Sequence, residues 1–325
     1  MEKKKTTAII ILNYNNYEDT IKCIESVEKF NSASIKYIII DNGSTRQNCV
    51  TNIDNYLKKT FQNDYRYIDE IDNINKIKKL TYVTFLISKT NDGYAKGNNK
   101  GLKLADLDDD IENILILNND VLFVQDIIPE LINGLKNLNK AGIVSPVLYK
   151  KNLNGLDYTC ARLDYNCLYA FFQYLFLFVD FFKILSYFKK RQHILISHPY
   201  LLEQKCIEIE MPSGSCMMIR KDLFKKVGYF DPNTFLYFEE NILFQKMKNL
   251  GYNNYLLSNL KCIHLGASSS KTVPSMFTMK CNIESCKYYF KKYKKNYFIY
   301  YFIKIIQPIL ILKLFLLKKM SLSKR

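Results

Sequence analysis

Asp120 stands where a strand hands its end to solvent, and that position gives a carboxylate chemical uses. Ile114, Leu115, Ile116 and Leu117 are four consecutive aliphatic residues that read as a strand buried on both faces, and Asn118-Asn119-Asp120 ends the run abruptly. In open α/β sheets ligands bind at such an edge, and carboxylate oxygens there suit a hard divalent cation. A turn or helix cap is the plainer use of the same residue. Three further constellations bear on the choice. Asp41 ends a second apolar run, Tyr37 to Ile40, and is followed by the turn residues Asn42-Gly43-Ser44-Thr45. Glu239 and Glu240 open a helix that carries Leu243, Met247 and Leu250 on one face and stops at Gly251. His264 ends a short strand begun at Lys261, as a ligand or as a hydrogen-bonded structural residue. The two glutamates suit the positive end of the helix dipole whatever else they do. Neighbours on a helix point about 100° apart, so only one of them faces a given site. Glu240 shares its side with Leu243, Phe244 and Met247 and is expected to be the inward one.

The elements that must position these groups alternate. Ala8 to Leu12 reads as a first buried strand ending in the polar turn Asn13-Tyr14-Asn15-Asn16, after which Tyr17, Ile21, Ile24 and Val27 recur at helical spacing. With the run ending at Asp41 this makes two strand-turn-helix units in about fifty residues, the signature of a parallel sheet. Residues 50 to 80 read as surface helix and loop. Tyr82 to Ile87 is a third strand, followed by a stretch from Asn91 to Gly101 with Gly93, Gly97, Gly101, Asn91, Asn98 and Asn99. Such a stretch is a flexible loop, or it lets backbone approach a ligand while a helix starting near Ala95 aims its free N–H groups at a phosphate. A helix over Asp126 to Leu138, a strand over Ala141 to Leu148 and a turn through Ser213-Gly214-Ser215 into another strand complete this part.

Bulk properties narrow the partners. The chain has 325 residues, enough for one large α/β domain with an extension, and its formal net charge of +16 favours an anionic partner. Nine cysteines with no C-x-x-C pair suggest reduced thiols, neither a zinc site nor a disulfide framework. Ala8 to Leu12 is too short an apolar run for a signal peptide. Tyr165 to Phe188 is crowded with Phe, Tyr and Leu but holds Asp180 and Lys183, so it reads as an interfacial or buried helix, with Lys189-Lys190-Arg191 directly after it. From Lys271 the chain interleaves lysines with aromatic rings and then turns strongly apolar over Phe298 to Leu317. That pattern suits the anionic face of a cytoplasmic leaflet, or single-stranded RNA.

Taken in order, the motifs resemble glycosyltransferase family 2, especially its rhamnosyltransferase-like members that build bacterial surface polysaccharides. The resemblance runs from Thr7 to Ser270 through Asn13-Tyr14-Asn15, Asp41-Asn42-Gly43-Ser44, the Asn91 to Gly101 stretch, Leu117-Asn118-Asn119-Asp120, Gly214-Ser215, Gly228-Tyr229-Phe230-Asp231, Phe235 to Glu240, and His264 with Ser268. It implies the GT-A fold: an α/β domain over 1–270 with a mostly parallel central sheet flanked by helices, followed by a helical C-terminal extension over 271–325. Within it, 1–120 would hold the nucleotide sugar and 121–270 the acceptor, with an aromatic insertion at 155–205. Asn13, Tyr14, Asn15 and Asp41 would hold base and ribose; Asn91, Gly93, Gly97, Asn98, Asn118 and Asn119 would line the rest of the donor. Asp120 would be the metal-binding carboxylate of the family's Asp-x-Asp signature, with His264 a second ligand for Mg²⁺ or Mn²⁺. Glu240 would be the general base, beside Glu239, which would serve a covalent route if one operated. Two positions depart from the family pattern: Asn118 replaces the first Asp of Asp-x-Asp, leaving one carboxylate to neutralise the metal, and Ile242 stands where an acidic residue is often found.

The expected activity is therefore metal-dependent, inverting transfer of a hexose from a UDP- or dTDP-sugar, dTDP-rhamnose among them, to a lipid-linked glycan. The expected place is the inner face of the plasma membrane, peripherally bound, with no specific nucleic acid. A non-catalytic membrane- or RNA-binding protein using the C-terminal region is the competing reading. A sugar-phosphate nucleotidyltransferase would need a glycine-rich, Arg/Lys-bearing loop near the first strand, and none is there.

Overall fold

A computed structural model describes residues 5–69, 77, 79–151, 155–176, 192–266 and 276–322, with 313–322 as backbone only. In chain order the first half forms β1 (Thr6–Asn13), α1 (Tyr17–Phe30), β2 (Ile35–Asp41), α2 (Cys49–Phe61), β3 (Tyr65–Asp69), β4 (Val83–Ile87), α3 (Gly93–Ala105), β5 (Ile111–Asn118), β6 (Val121–Phe123), α4 (Ile128–Asn137) and β7 (Ala141–Lys150). The second half forms β8 (Ala161–Arg162), α5 (Cys167–Phe176), α6 (Ile194–Ser197), β9 (Cys206–Ile209), β10 (Met211–Pro212), β11 (Cys216–Arg220), α7 (Lys221–Lys226), α8 (Glu239–Asn249), β12 (Asn253–His264), α9 (Met276–Lys292) and α10 (Tyr297–Leu322).

Side chains alternate across a strand, so each buried strand feeds two cores. Ile9 and Ile11 of β1 join Ile24 of α1, Ile53 of α2 and Leu131 of α4 on one face. Ala8 and Ile10 join Leu102 of α3, Phe224 of α7 and Met247 of α8 on the other. The large sheet runs β3-β4-β2-β1-β5-β11-β7-β12-β6, with β9 also paired to β12. Its first five strands are parallel; β11 then reverses against β5 and β7, and β12 runs parallel to β7. This is the α/β sheet flanked by helices that the sequence implies, mixed beyond β5. Register brings three of the expected site residues to one edge, because Asn13 pairs with Asp41 across β1 and β2 while Leu12 pairs with Asn118 across β1 and β5.

A third core lies apart from the sheet. Tyr165, Tyr174 of α5, Ile283, Tyr289 and Phe290 of α9, and Ile299 and Ile303 of α10 pack around Phe238 and Ile242, the latter two bracketing the glutamate pair. Ile242, unusual for the family pattern, is thus a core residue here. The C-terminal extension is helical and shares this core.

Three local expectations change. Residues 50 to 80 hold a strand as well as a helix: β3 caps the sheet edge beside β4, and its five residues are too few to give a period-2 signal against a polar background. The strand ending at His264 is twelve residues long, with a register irregularity between Leu257 and Lys261 that breaks its pattern. The helix after Asp120 starts at Ile128, not Asp126. The aromatic stretch is described only to Phe176, where α5 is part-buried; residues 177–191, and Ser268 with the other residues of 267–275, lie outside the described residues. Among the described residues no helix is long and apolar enough to cross a membrane.

Candidate active site

The first strand tip is braced from within. Asn13 donates through Nδ2 to Asp41 Oδ2 at 2.7 Å, and Ser44 donates to the same carboxylate through its backbone N–H (2.8 Å) and its hydroxyl (2.6 Å). Asp41 is fully buried, so it locks the tips of β1 and β2 together. Asn15, in the left-handed region at φ 58°, accepts from the backbone N–H groups of Thr45 and Arg46 at 2.7 Å each. What this tip presents to solvent is Tyr14, 45% exposed.

The stretch from Asn91 to Gly101 is mostly helix, because α3 begins at Gly93 rather than near Ala95. Its glycines allow close approach, but to protein. A Cβ on Gly97 would lie 2.7 Å from Leu12 and one on Gly101 2.8 Å from Ile10, so both let α3 settle on the sheet. Gly93, at φ +79°, lies against the backbone oxygen of Phe235, to which Tyr94 N–H donates at 2.8 Å. Asn91 accepts from Asn42 and from Gly93 N–H at 3.0 Å each, and Asn98, buried, donates to Tyr94 O at 3.0 Å.

At the tip of β5, Asn119 donates to Thr20 Oγ1 at 3.0 Å, and Asn118 turns towards Ser215 at 3.4 Å. Asp120 and His264 come together because β6 pairs with β12, setting His264 opposite Val121. His264 Nε2 lies 3.4 Å from Asp120 Oδ2, and its Nδ1 lies 2.7 Å from Asp157 Oδ2. Burial alone would lower the His264 pKa, but the two carboxylates outweigh it and raise it to about 10. Burial would raise Asp157, yet hydrogen bonds from His264 and Thr159 hold it near 2. Asp157 was not singled out by the sequence, where it stands in Gly155-Leu156-Asp157 with no strand or motif to mark it.

The donor set fits a divalent cation that takes the place of the His264 proton facing Asp120. Asp120 Oδ1 is buried without a hydrogen-bond partner, which is costly unless a ligand takes it. A carboxylate on the far nitrogen of a metal-binding His fixes its ring, which is the place Asp157 occupies. Among the described residues no group of three His, Cys, Asp or Glu side chains could hold a metal ion by itself.

Glu239 and Glu240 part company at the start of α8. Glu239 is 4% exposed with Oε1 unpartnered, and burial together with the Glu240 charge raises its pKa to about 8. Glu240 opens onto a cavity of about 300 Å³ that includes Arg162, Tyr237, Asn241 and Asn282. It is the glutamate of the two that lines this cavity, while Glu239, not the inward one expected, is the more buried. Gly214 N–H donates to Glu240 Oε1 at 3.1 Å, an approach that needs glycine, since a Cβ there would sit 2.7 Å from that oxygen. Tyr237 and Phe238, at φ 73° and 70°, put two successive non-glycine residues in the left-handed region just before the helix. Each such residue costs on the order of 1–3 kcal/mol and persists because its surroundings fix it. Here Tyr94 N–H holds Phe235 O, Ser285 Oγ donates to Leu236 O at 2.9 Å, and Phe238 is buried in the third core.

The two ends of the site meet at one turn. Ser215 Oγ lies 3.5 Å from His264 Nε2, while its neighbour Gly214 holds Glu240. A buried carboxylate with an unpartnered oxygen and a cleft-facing glutamate, 120 positions apart, thus flank Ser213-Gly214-Ser215. Residues 8–228 match the family described as Glycosyl transferase family 2. The chain belongs to that family. The chain is 25% identical over 238 residues to the "Low-salt glycan biosynthesis hexosyltransferase Agl10" of Haloferax volcanii, an alignment covering 72% of this chain and 58% of that protein. Its fold is GT-A: the crystal structure described as GalNAc-T7 with UDP, GalNAc and Mn²⁺ is similar at a TM-score of 0.60 and 12% identity, over 90% of this chain and 50% of the other.

Proposed function

We propose that this glycosyltransferase moves a hexose from a UDP- or dTDP-sugar to a hydroxyl of a lipid-linked glycan, with inversion at the anomeric carbon. The observation that carries the reading is the pairing of Asp120-His264-Asp157 with Glu240 across the Ser213 to Ser215 turn. A divalent metal on Asp120 and His264 would supply Lewis-acid neutralisation of the leaving nucleoside diphosphate. The chain's own residues do the rest. Glu240 takes the proton from the acceptor hydroxyl as its oxygen attacks, and Gly214 N–H orients the carboxylate for that transfer. Glu239, raised to about 8, keeps a proton at neutral pH and so does not compete as base. Tyr14 is the exposed ring available to a base at the first strand tip.

A membrane surface is the proposed place of work. Between residues 276 and 312 seven lysines face one glutamate. A cleft of about 810 Å³ between α9 and α10 sets Lys280, Lys287 and Lys304 beside Pro308, Ile311 and Leu312. Lysines above apolar side chains match anionic headgroups above acyl chains.

The test is hydrolysis of a panel of UDP-, dTDP- and GDP-sugars with Mg²⁺ and Mn²⁺. One nucleotide is expected to be released with metal dependence, and no release from any donor would sink the reading.

A further inference from the structure

Arg162 is the misfit in this site. It lies on β8, which pairs with β10, and its side chain is 23% exposed. Its Nε is buried with no hydrogen-bond partner, and its Nη2 stands 3.5 Å from Glu240 Oε1, longer than a normal N–H···O bond of about 2.7–3.2 Å. A buried guanidinium N–H without a partner is unfavourable, and such a group calls for a reason. Ion pairing with Glu240 is an incomplete one, because Gly214 N–H already holds the same oxygen closer, at 3.1 Å. Around the guanidinium the cavity is lined by amides and hydroxyls, among them Thr159, Gln192, Asn241 and Asn282, with the ring of Tyr237 open to it. Asn282 uses Oδ1 to accept from Tyr174, leaving its amide N–H₂ for a ligand. These groups suit sugar hydroxyls, and a guanidinium fork suits two oxygens of one anion.

Resting on the transferase reading above, we propose that Arg162 forms an acceptor subsite for an oxyanion, a carboxylate or a phosphate carried on the same sugar residue whose hydroxyl meets Glu240. Arg162 and Glu240 stand 3.5 Å apart, close enough for both to meet groups of one sugar ring. When the anion binds, the guanidinium stands between two negative groups, and Glu240 keeps its Gly214 contact. The donor diphosphate belongs at the other side of Ser213-Gly214-Ser215, by Asp120 and His264.

The test uses the full chain and three probes that differ only at C6: methyl glucoside, methyl glucuronide and methyl glucoside 6-phosphate. Their affinities are read by calorimetry in the presence of UDP and Mn²⁺. At least one anionic probe is expected to bind about tenfold or more tighter than the neutral one, the magnitude of one charge-assisted contact, and which one does so names the source of the oxyanion. Arg162→Gln is expected to erase the preference without changing UDP affinity, and Arg162→Lys to keep part of it; should the Gln variant not fold, the Lys variant carries the comparison. Equal binding of all three probes, binding of none, or a preference that survives in the Gln variant overturns the subsite. So does a drop in UDP affinity in the Lys variant, which would assign the residue to the donor. An Arg162-dependent preference in a protein that hydrolyses no nucleotide sugar would keep the subsite and remove the transferase reading.

Discussion

Glu239 and Glu240 are chemically the same and one bond apart in sequence, so everything that separates their roles comes from environment. Glu240 sits at the cavity with a backbone donor; Glu239 is sealed beneath it with an orphan oxygen. Replacing Glu240 by Gln removes the proposed proton acceptor but keeps the shape. Transfer is expected to fall by about 10²–10⁴-fold with nucleotide affinity unchanged, and a near-normal rate at saturating donor and acceptor would reassign the base. Glu239 predicts something different, in stability. Its pKa rises from 4.5 to about 8 on folding, so between those values the native state holds a proton that the unfolded chain has lost. The stabilisation is full below pH 4.5 and is lost as pH rises through about 8. Glu239→Gln should therefore flatten the fall of the thermal midpoint between pH 5 and 9, most visibly at the alkaline end; parallel curves for variant and wild type would contradict the burial argument. Gly214→Ala tests positioning: its Cβ would displace the Glu240 carboxylate, lowering kcat by up to about 100-fold with little change in nucleotide affinity, and an unaltered kcat would show that the contact is idle. Helical phase alone did not decide between the two glutamates, because Ile242 on the Glu239 side is as buried as Leu243 and Met247 on the Glu240 side, and Glu239 is the more buried of the pair. That Asp157 secures His264 was not readable either, because two residues 107 positions apart carry no local pattern that links them.

At the scale of elements, the part of the chain that looks most detachable is built into the site. Composition marks residues beyond 271 as a basic-aromatic extension, and α9 and α10 are the helices it implies. Yet Tyr288 and Lys292 bond Asp231 at 2.9 and 3.1 Å, Tyr289 bonds Asp164 at 2.6 Å, Lys294 also pairs with Asp164, and Ser285 holds the turn before Glu239. Sequence could not show this, since Lys and Tyr are amphipathic and read as surface until their partners, 57 to 130 positions away, are in place. By contrast the strand tips at Asn13, Asp41 and Asn118 were legible, because each ends an apolar run whose length fixes where it stops. Removing residues 276–325 would expose Phe238, Ile242 and the α5 face, and would take from the buried Asp231 and the part-buried Asp164 the lysines that neutralise them, leaving only amide and backbone donors. A domain's whole stability is about 5–15 kcal/mol, so losing one side of a core together with two charge partners threatens it. The truncated chain is expected to lack a cooperative thermal transition and nucleotide binding; a truncated form that binds UDP as the full chain does would show the extension to be dispensable.

For the whole molecule this changes how membrane attachment has to be tested, because truncation would confound lost anchoring with lost folding. The outer face of α10 offers a cleaner handle. Phe298, Tyr301, Ile305 and Ile309 recur every three or four residues and are exposed, Ile305 by 71% and Ile309 by 51%, while Ile299, Ile303 and Leu310 on the opposite face are buried. A solvent-facing apolar stripe beside so many lysines is unfavourable in water and favourable at an anionic bilayer, where the rings and aliphatic chains enter and the ammonium groups stay at the headgroups. Ile305→Gln with Ile309→Gln leaves the packed face intact. Each isoleucine that enters the bilayer contributes about 1.5–3 kcal/mol, so the double change should weaken binding to vesicles of anionic lipid by on the order of 100-fold or more. Flotation of the full chain at moderate salt, with and without the two substitutions, reads this directly, and donor hydrolysis in solution should be the same for both forms. Wild type that stays with the aqueous phase, or a double variant that floats as wild type does, would remove this face from the account and leave the positive charge to some other anionic partner.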